Sequence, residues 1–514
     1  MSVKLDGETL TIEKVEDVAR RRAKVALSKK AVENIEKGRA VLEALVASGE
    51  AIYGVTTGIG ELARIRVSPE MGSELQRRII YSHAAGTGDI QPEEAVRAAM
   101  LLRINTLAKG YSGVRLQNVQ IMLDCLNKGI TPVVYEKGSL GVSGDLSPLS
   151  QLAEVFIGEG EAFYRRKRMP GAKALEKAGL KPVDLSYKEG LGFINGSQML
   201  TGEAALRLVD ARRIIKHALI AAAMTIDTLK GVAKAYDARL HAIRPFKGQN
   251  AAAAALRLLF EGSEIMADPS GKVQDGYSMR CTPQVIGPTI DAWFYTLEQV
   301  EIEMNSAADN PIFIPDDNTH LAGGNFHGQA IGIVMDLMAI GMSELADLSE
   351  RHTNRLLNPA LSGLPDFLVG GAQGLNSGLM VSQYTAAALV SENKVLSHPA
   401  TVDSISVSAD QEDHVAMAPI AVRKLKEIQK NVVAVLAIEM NAAAQAFDFR
   451  APKKPGRGTR VAYDIIRQHV AHLENDRVLY PDINKIIELI NSGIILDAVE
   501  GEIGEMKLRL GKDN

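Results

Sequence analysis

The chain has 514 residues, 46% hydrophobic and 23% charged, with a formal net charge of -4. That length supports a large core, and that balance excludes a disordered chain and argues against nucleic acid or an acidic membrane surface as partner. Two cysteines, Cys125 and Cys281, are too few and too far apart for a disulfide framework, which fits a reducing compartment.

The N-terminus is charged and lacks an apolar signal core, so a cytoplasmic protein is expected. Residues 3–5 read as a short strand, as do 131–135 and 311–314. "YGVTTGIGELA" (53–63) and "YSHAAGTG" (81–88) are glycine-punctuated turns. Alone, Tyr53 would be a turn residue and His83 a core or helix-end histidine.

Residues 138–156, "GSLGVSGDLSPLSQLAEVF", are different in kind. Three glycines within seven residues exceed the need of a plain turn, so backbone atoms must approach closely here. Ser147-Pro148 predicts a helix start, with Ser147 as N-cap, which sets Ser143 within a turn of a helix N-terminus. Asp145 stands where the hydrolase elbow needs its second glycine, and no phosphate-loop lysine follows. One internal reaction fits. The Gly144 nitrogen attacks the Val142 carbonyl, a five-membered ring closes, and loss of water from Ser143 leaves an electrophilic methylidene.

Further along, "FINGSQ" (193–198) leads into a helical stretch predicted over 198–236. "VQDGYSMRCTPQ" (273–284) holds Arg280, by default an ion-pair arginine, and Cys281, by default a small buried residue. "GGNFHGQ" (323–329) opens a helix predicted over 327–357, and another is predicted over 378–397, stopped by His398-Pro399. In "SADQEDHVAM" (408–417), Glu412-Asp413 alone would be a helix N-terminal acid pair. Residues 420–447 run without Pro or Gly, and Leu425, Ile428, Val432 and Val435 form a 3-4-3 bundle seam. The basic loop 450–460 reads as solvated. His469 and His472 lack a third ligand and read as a solvated helix face, so no metal site is expected. The expected fold is mainly α: a large central bundle of long antiparallel helices, with a smaller mixed N-terminal region carrying the 142–144 loop. The expected divisions are 1–197, 198–449 and 450–514.

Taken together, these stretches resemble the histidine ammonia-lyases and their aromatic amino acid lyase relatives, with six motifs in the family's order. The resemblance implies that Val142-Ser143-Gly144 cyclises autocatalytically to 4-methylideneimidazol-5-one (MIO), where the family's usual tripeptide is Ala-Ser-Gly; the valine is a departure. It implies no external cofactor. It matches Tyr53 to the proposed catalytic base and Tyr277 to a proton relay or a support for the electrophile. Arg280 would grip the substrate carboxylate, with Asn195 and Gln274 as uncharged donors and Phe326 beside the MIO. A phenol titrates near ~10, so Tyr53 is expected to need a positive neighbour or a helix end. Ser82-His83 and Gln411-Glu412 match the histidine enzymes, and His83 with Glu412 could hold both imidazole nitrogens. Gln329, where many relatives carry an acid, and the "GVTTGIG" loop point toward phenylalanine-type enzymes instead. The implied activity is elimination of ammonia from L-histidine to give trans-urocanate, by a homotetramer with shared sites. Alternatives are a lyase for phenylalanine, tyrosine or a modified histidine, a 2,3-aminomutase with the same electrophile, and a catalytically degenerate helical scaffold.

Overall fold

The computed structural model describes residues 2–268 and 271–510. The protein is mainly helical, with short strands of three or four residues. Two compact units emerge, each assembled from three stretches of chain. The first comprises Met1–Val209, Thr296–Asp336 and Pro399–Arg423; the second comprises Asp210–Tyr295, Leu337–His398 and Lys424–Asn514. Four long helices span the sequence boundaries of these units: Gln198–Thr228, Thr282–Met304, Gln329–Leu357 and Ala418–Asp448. Among the described residues, no helix is long and apolar enough to cross a membrane.

Three of the predicted long helices form with ends shifted by one to two residues: Gln329–Leu357, Met380–Leu396 and Ala418–Asp448. The seam residues Leu425, Ile428, Val432 and Val435 are all fully buried. The stretch predicted over 198–236 stops at Thr228 because Lys230 turns left-handed, at φ 53°, and the Gly231 N–H closes back on Ile226 O at 2.9 Å. A separate 3-10 turn, Ala233–Tyr236, follows. The helix Thr282–Met304 is not evident from the sequence because Pro288 sits inside it. It packs through Gly287, where an added Cβ would stand 2.5 Å from Gln249 N. The strand expected at 131–135 is two strands, Ile130–Pro132 and Tyr135–Lys137.

The first unit carries four small sheets. Ser2–Leu5 pairs in parallel with Lys24–Leu27, and the three-stranded sheet joins Ile130–Pro132, Glu161–Tyr164 and Lys167–Pro170. Short sheets leave many carbonyls unpaired, and buried cations take several of them. Arg97 donates to Val18 O and Ala19 O at one helix end and to Leu126 O at another. Arg103, fully buried, donates to Asn195 O at 2.9 Å, to Ala308 O at 3.2 Å and to Gly192 O. Asp309 is its counter-charge, with Oδ2 at 3.3 Å from Arg103, while Asp309 Oδ1 accepts from the buried Lys188 Nζ at 2.7 Å. Burial pulls both cations toward deprotonation, and Asp309 opposes this.

Asp309→Asn removes the only negative charge in this triad and points an amide donor at cationic donors. The expected loss is about 3–5 kcal/mol, read as a lower denaturant midpoint at fixed protein concentration.

Candidate active site

The first unit gathers the 142–144 loop from three directions. Gly144 lies, at φ 69°, directly against Gly196: a Cβ on Gly144 would stand 2.2 Å from Gly196 O. The next amide, Asp145 N, donates to that same oxygen at 2.7 Å. Gly196 is closed on its other side, since its own Cβ would meet Ala308 O at 2.3 Å. Two glycines in contact thus give the close backbone approach that the glycine count implied, although half of the pair comes from "FINGSQ".

The helix after the loop begins differently from expectation. It spans Leu146–Phe156 with Asp145, not Ser147, at the cap position, and Pro148 is its third residue. Ser147 Oγ instead accepts from Ala85 N at 3.3 Å. The Asp145 carboxylate is likewise turned to tertiary contacts: it accepts from Ser139 Oγ at 3.0 Å and from Leu200 N at 2.8 Å. Full burial pushes its pKa up to about 7, against the pull of those donors. Ser139 also donates to Gly144 O at 3.2 Å.

Around Ser143 the predicted residues converge. Its Oγ donates to Glu412 Oε1 at 2.8 Å, and its carbonyl oxygen accepts from Asn195 Nδ2 at 3.1 Å. Asn195 Oδ1 is buried with no hydrogen-bond partner among the described residues. Val142 is half-buried. Glu412 does not start a helix. It closes a tight loop whose residues Ser408, Ala409 and Asp410 are all left-handed, at φ 56°, 52° and 62°, with Val407 and Glu412 bridged across it. Gln411 is exposed on this loop.

Tyr53 reaches the same region. Its hydroxyl accepts from Gly60 N at 2.9 Å, and an added Cβ on Gly60 would stand 3.1 Å from Ser408 Oγ. The expected positive neighbour is not what the fold supplies. Burial raises the Tyr53 pKa, the Gly60 N–H lowers it, and the Glu412 carboxylate raises it again, so the net shift is upward. Phe326 is placed by a backbone tie, Gly328 N to Gly141 O at 2.8 Å, which fastens "GGNFHGQ" to the 138–145 loop. The adjacent His327 stacks on His414 with ring centroids 6.1 Å apart.

His83 ends the helix Gly72–His83. Its Nδ1 lies 2.7 Å from Ile79 O, a carbonyl that can only accept, so Nδ1 carries a proton, and Ser82 Oγ lies 2.9 Å from the same nitrogen. No hydrogen bond joins His83 to Glu412 among the described residues.

Gln274, Tyr277 and Arg280 belong to the second unit. Gln274 lies in an exposed loop. Tyr277 and Arg280 are the two ends of the four-residue helix Tyr277–Arg280, where the guanidinium sits 4.6 Å from the phenol ring centroid. Arg280 Nε is buried without a hydrogen-bond partner among the described residues. Cys281 is half-buried. Away from these groups, His472 pairs with Asp448 at 2.6 Å and is no solvated bystander. No cluster of three metal-ligating side chains occurs among the described residues.

Sequence reasoning missed Gly196, Arg103 and Ser139. Only Gly196 left a signal, a glycine directly after the motif asparagine.

Comparisons with known proteins give the family. A family model described as aromatic amino acid lyase matches residues 10–468. A histidine ammonia-lyase from Alkaliphilus oremlandii is 49% identical over 499 residues, covering 97% of this chain and 98% of its own. Among solved structures, histidine ammonia-lyase from Trypanosoma cruzi has a TM-score of 0.91 at 37% identity, covering 100% of this chain and 99% of its own. Tyrosine aminomutase from Streptomyces globisporus has a TM-score of 0.95 at 37% identity, covering 99% of this chain and 100% of its own.

Gly144→Ala should break the crossing with Gly196. A positive φ and a 2.2 Å clash with backbone leave no room to relax. The expected cost is about 1–3 kcal/mol, seen as a lower unfolding temperature, while Gly179→Ala, with nothing within 4 Å, shifts it less.

Proposed function

This chain belongs to the aromatic amino acid lyase family, and on that premise we propose that it eliminates ammonia from L-histidine to give trans-urocanate, with an electrophile made from Val142, Ser143 and Gly144. It is a carbon–nitrogen lyase. The observation that carries the specific reading is the convergence on Ser143: Glu412 on its hydroxyl, Asn195 on its carbonyl and Tyr53 beside Glu412.

The residues present fit the MIO group. Its ring would take the Ser143 carbonyl as its oxygen, and Asn195 Nδ2 already donates there. Gly144, lacking a Cβ, fits directly against Gly196 O, where any other residue would push its backbone nitrogen away from the loop. Once formed, the group supplies an electrophilic carbon that makes a poor leaving group easier to expel. The remaining work falls to side chains. Tyr53 takes the β-proton as base. Arg280, with an unpaired Nε, holds the substrate carboxylate. Glu412 and the Nε2 of His83 select an imidazole, because a phenyl ring would leave both unpaired.

We further propose a homotetramer with shared sites. Tyr277 is 73% exposed in the single chain, too open for a group meant to work out of water. The helix Met380–Leu396 also leaves Val381, Tyr384 and Val395 exposed. A second reading, an aminomutase, is favoured by the 0.95 TM-score to a tyrosine aminomutase. It would return ammonia to the β-carbon, and product analysis separates the two.

The test is a substrate panel. Histidine should give urocanate, while phenylalanine and tyrosine should be slower by roughly tenfold to a hundredfold per unpaired polar group. The intact chain should weigh about two waters less than its sequence. Ser143→Ala should lose turnover and that mass deficit together; near-normal turnover in this variant defeats the reading.

A second expectation concerns pH. A base must be deprotonated, and the Tyr53 pKa lies above its ordinary value of 10.0. So kcat/KM should climb with pH across neutrality. Glu412→Gln removes one cause of the raised pKa and should move the climb to lower pH. Tyr53→Phe should abolish that shift and slow the reaction by about 10²–10⁴.

A further inference from the structure

Tyr277–Arg280 is a single helical turn, too short to be stable by its own hydrogen bonds. Its direction must be set from outside, and the second unit sets it through two backbone carbonyls. His352, on Gln329–Leu357, points Nε2 at Ser278 O, 2.7 Å away. Its other nitrogen, Nδ1, lies 2.8 Å from Glu439 Oε1, and that oxygen also accepts from Thr225 Oγ1 at 2.8 Å. His352, Glu439 and Thr225 are all fully buried or nearly so. Ser278 O accepts again from Thr282 Oγ1 at 2.9 Å, and Met279 O accepts from the buried Tyr236 hydroxyl at 2.9 Å. Arg355 Nε donates to Ser278 Oγ at 3.1 Å, and its guanidinium lies so close to Gly276 that a Cβ there would stand 1.9 Å from Nη2.

A carbonyl can only accept, so the Nε2 of His352 carries a proton and donates it to Ser278 O. Glu439 holds the opposite nitrogen and so fixes the plane of the ring. Apolar residues would hold a bundle together as well as this buried polar chain does. What an apolar residue could not do is grip one backbone oxygen. The chain ends on the carbonyl between the two residues assigned above to the reaction.

We propose that His352 is a positioning residue for catalysis: oriented by Glu439, it fixes the Ser278 carbonyl and thereby the directions of the Tyr277 phenol and the Arg280 guanidinium. This rests on the lyase reading of Tyr277 and Arg280. A displacement of about 1 Å at reacting groups costs on the order of a hundredfold in rate.

The test uses the full-length protein with His352→Gln and, as a milder isosteric change, Glu439→Gln. Hydrogen exchange at the amides of residues 279–282 should quicken in both. The mass deficit from residues 142–144, in the first unit, should stay as in wild type. For L-histidine, kcat/KM should fall about tenfold to a hundredfold, with KM rising as Arg280 is misdirected and kcat falling as Tyr277 is. On a Tyr277→Phe background, His352→Gln should lower kcat by less than about threefold, since its effect on kcat acts through that phenol. A purely structural role predicts a lower unfolding temperature with kcat and KM unchanged at the assay temperature, and that result overturns the proposal. So does wild-type exchange at 279–282 in both variants, or a fully additive effect with Tyr277→Phe. If wild type leaves histidine untouched while exchange quickens in the variants, the lyase reading falls and the clamp stands.

Discussion

Gly196 O stands where a side chain on Gly144 would begin, and the candidate site depends on that crossing. Once the two backbones touch, Asp145 N can reach Gly196 O, and Asn195, one residue earlier, can reach Ser143 O. The crossing is held from behind by Arg103, which takes the carbonyls of Gly192, Asn195 and Ala308. An arginine so deep in a protein is costly to desolvate. Asp309 offsets that cost, and Lys188 shares the same carboxylate. The buried charges therefore do structural work at a distance: they give a loop rich in glycine, and so rich in chain entropy, a single conformation.

The electrostatics on the open side run the other way. Glu412 accepts from Ser143 and raises the pKa of Tyr53. The same carboxylate thus serves the loop in its encoded form and disfavours the phenolate that proton abstraction needs. A substrate changes that balance. An imidazole donating to Glu412 would spread its charge and relieve Tyr53, so the substrate that fits also improves the base. A phenyl ring offers no such relief. On the proposed reading, selectivity and base strength would be one effect read at two atoms.

The sequence exposed those parts of the site that need a special residue type at a special place. Ser143 among closely spaced glycines is legible from the residues themselves, whereas Asn195 and Glu412 are legible only through the motifs that carry the family resemblance. The bundle seam was legible because burial imposes its period, and Leu425, Ile428, Val432 and Val435 are buried as their spacing requires. The rest depends on partners far away in the chain. Ser147-Pro148 looks like a cap in isolation, but Ala85 claims the Ser147 hydroxyl and the helix starts earlier, at Leu146 after Asp145. Thr282–Met304 hides behind Pro288, because local propensity weighs a proline against a helix that tertiary packing sustains. Arg103 and His352 carry no local mark at all; their roles come from carbonyls 74 to 205 residues distant.

The two units hold their candidate residues differently. The first holds its groups in bonded order, half-buried except for the buried Asn195: Ser143, Asn195, Glu412 and Tyr53 each have a partner there. The second presents Tyr277 largely exposed and leaves Arg280 Nε without an acceptor, yet it fastens the turn beneath them with His352, Tyr236 and Arg355. Ordering a turn costs about 1–2 kcal/mol per residue in chain entropy, and the bonds from His352, Tyr236 and Arg355 offset that cost. The turn that carries Arg280 is thus held in one direction before anything binds, which is what the proposed grip on a substrate carboxylate requires.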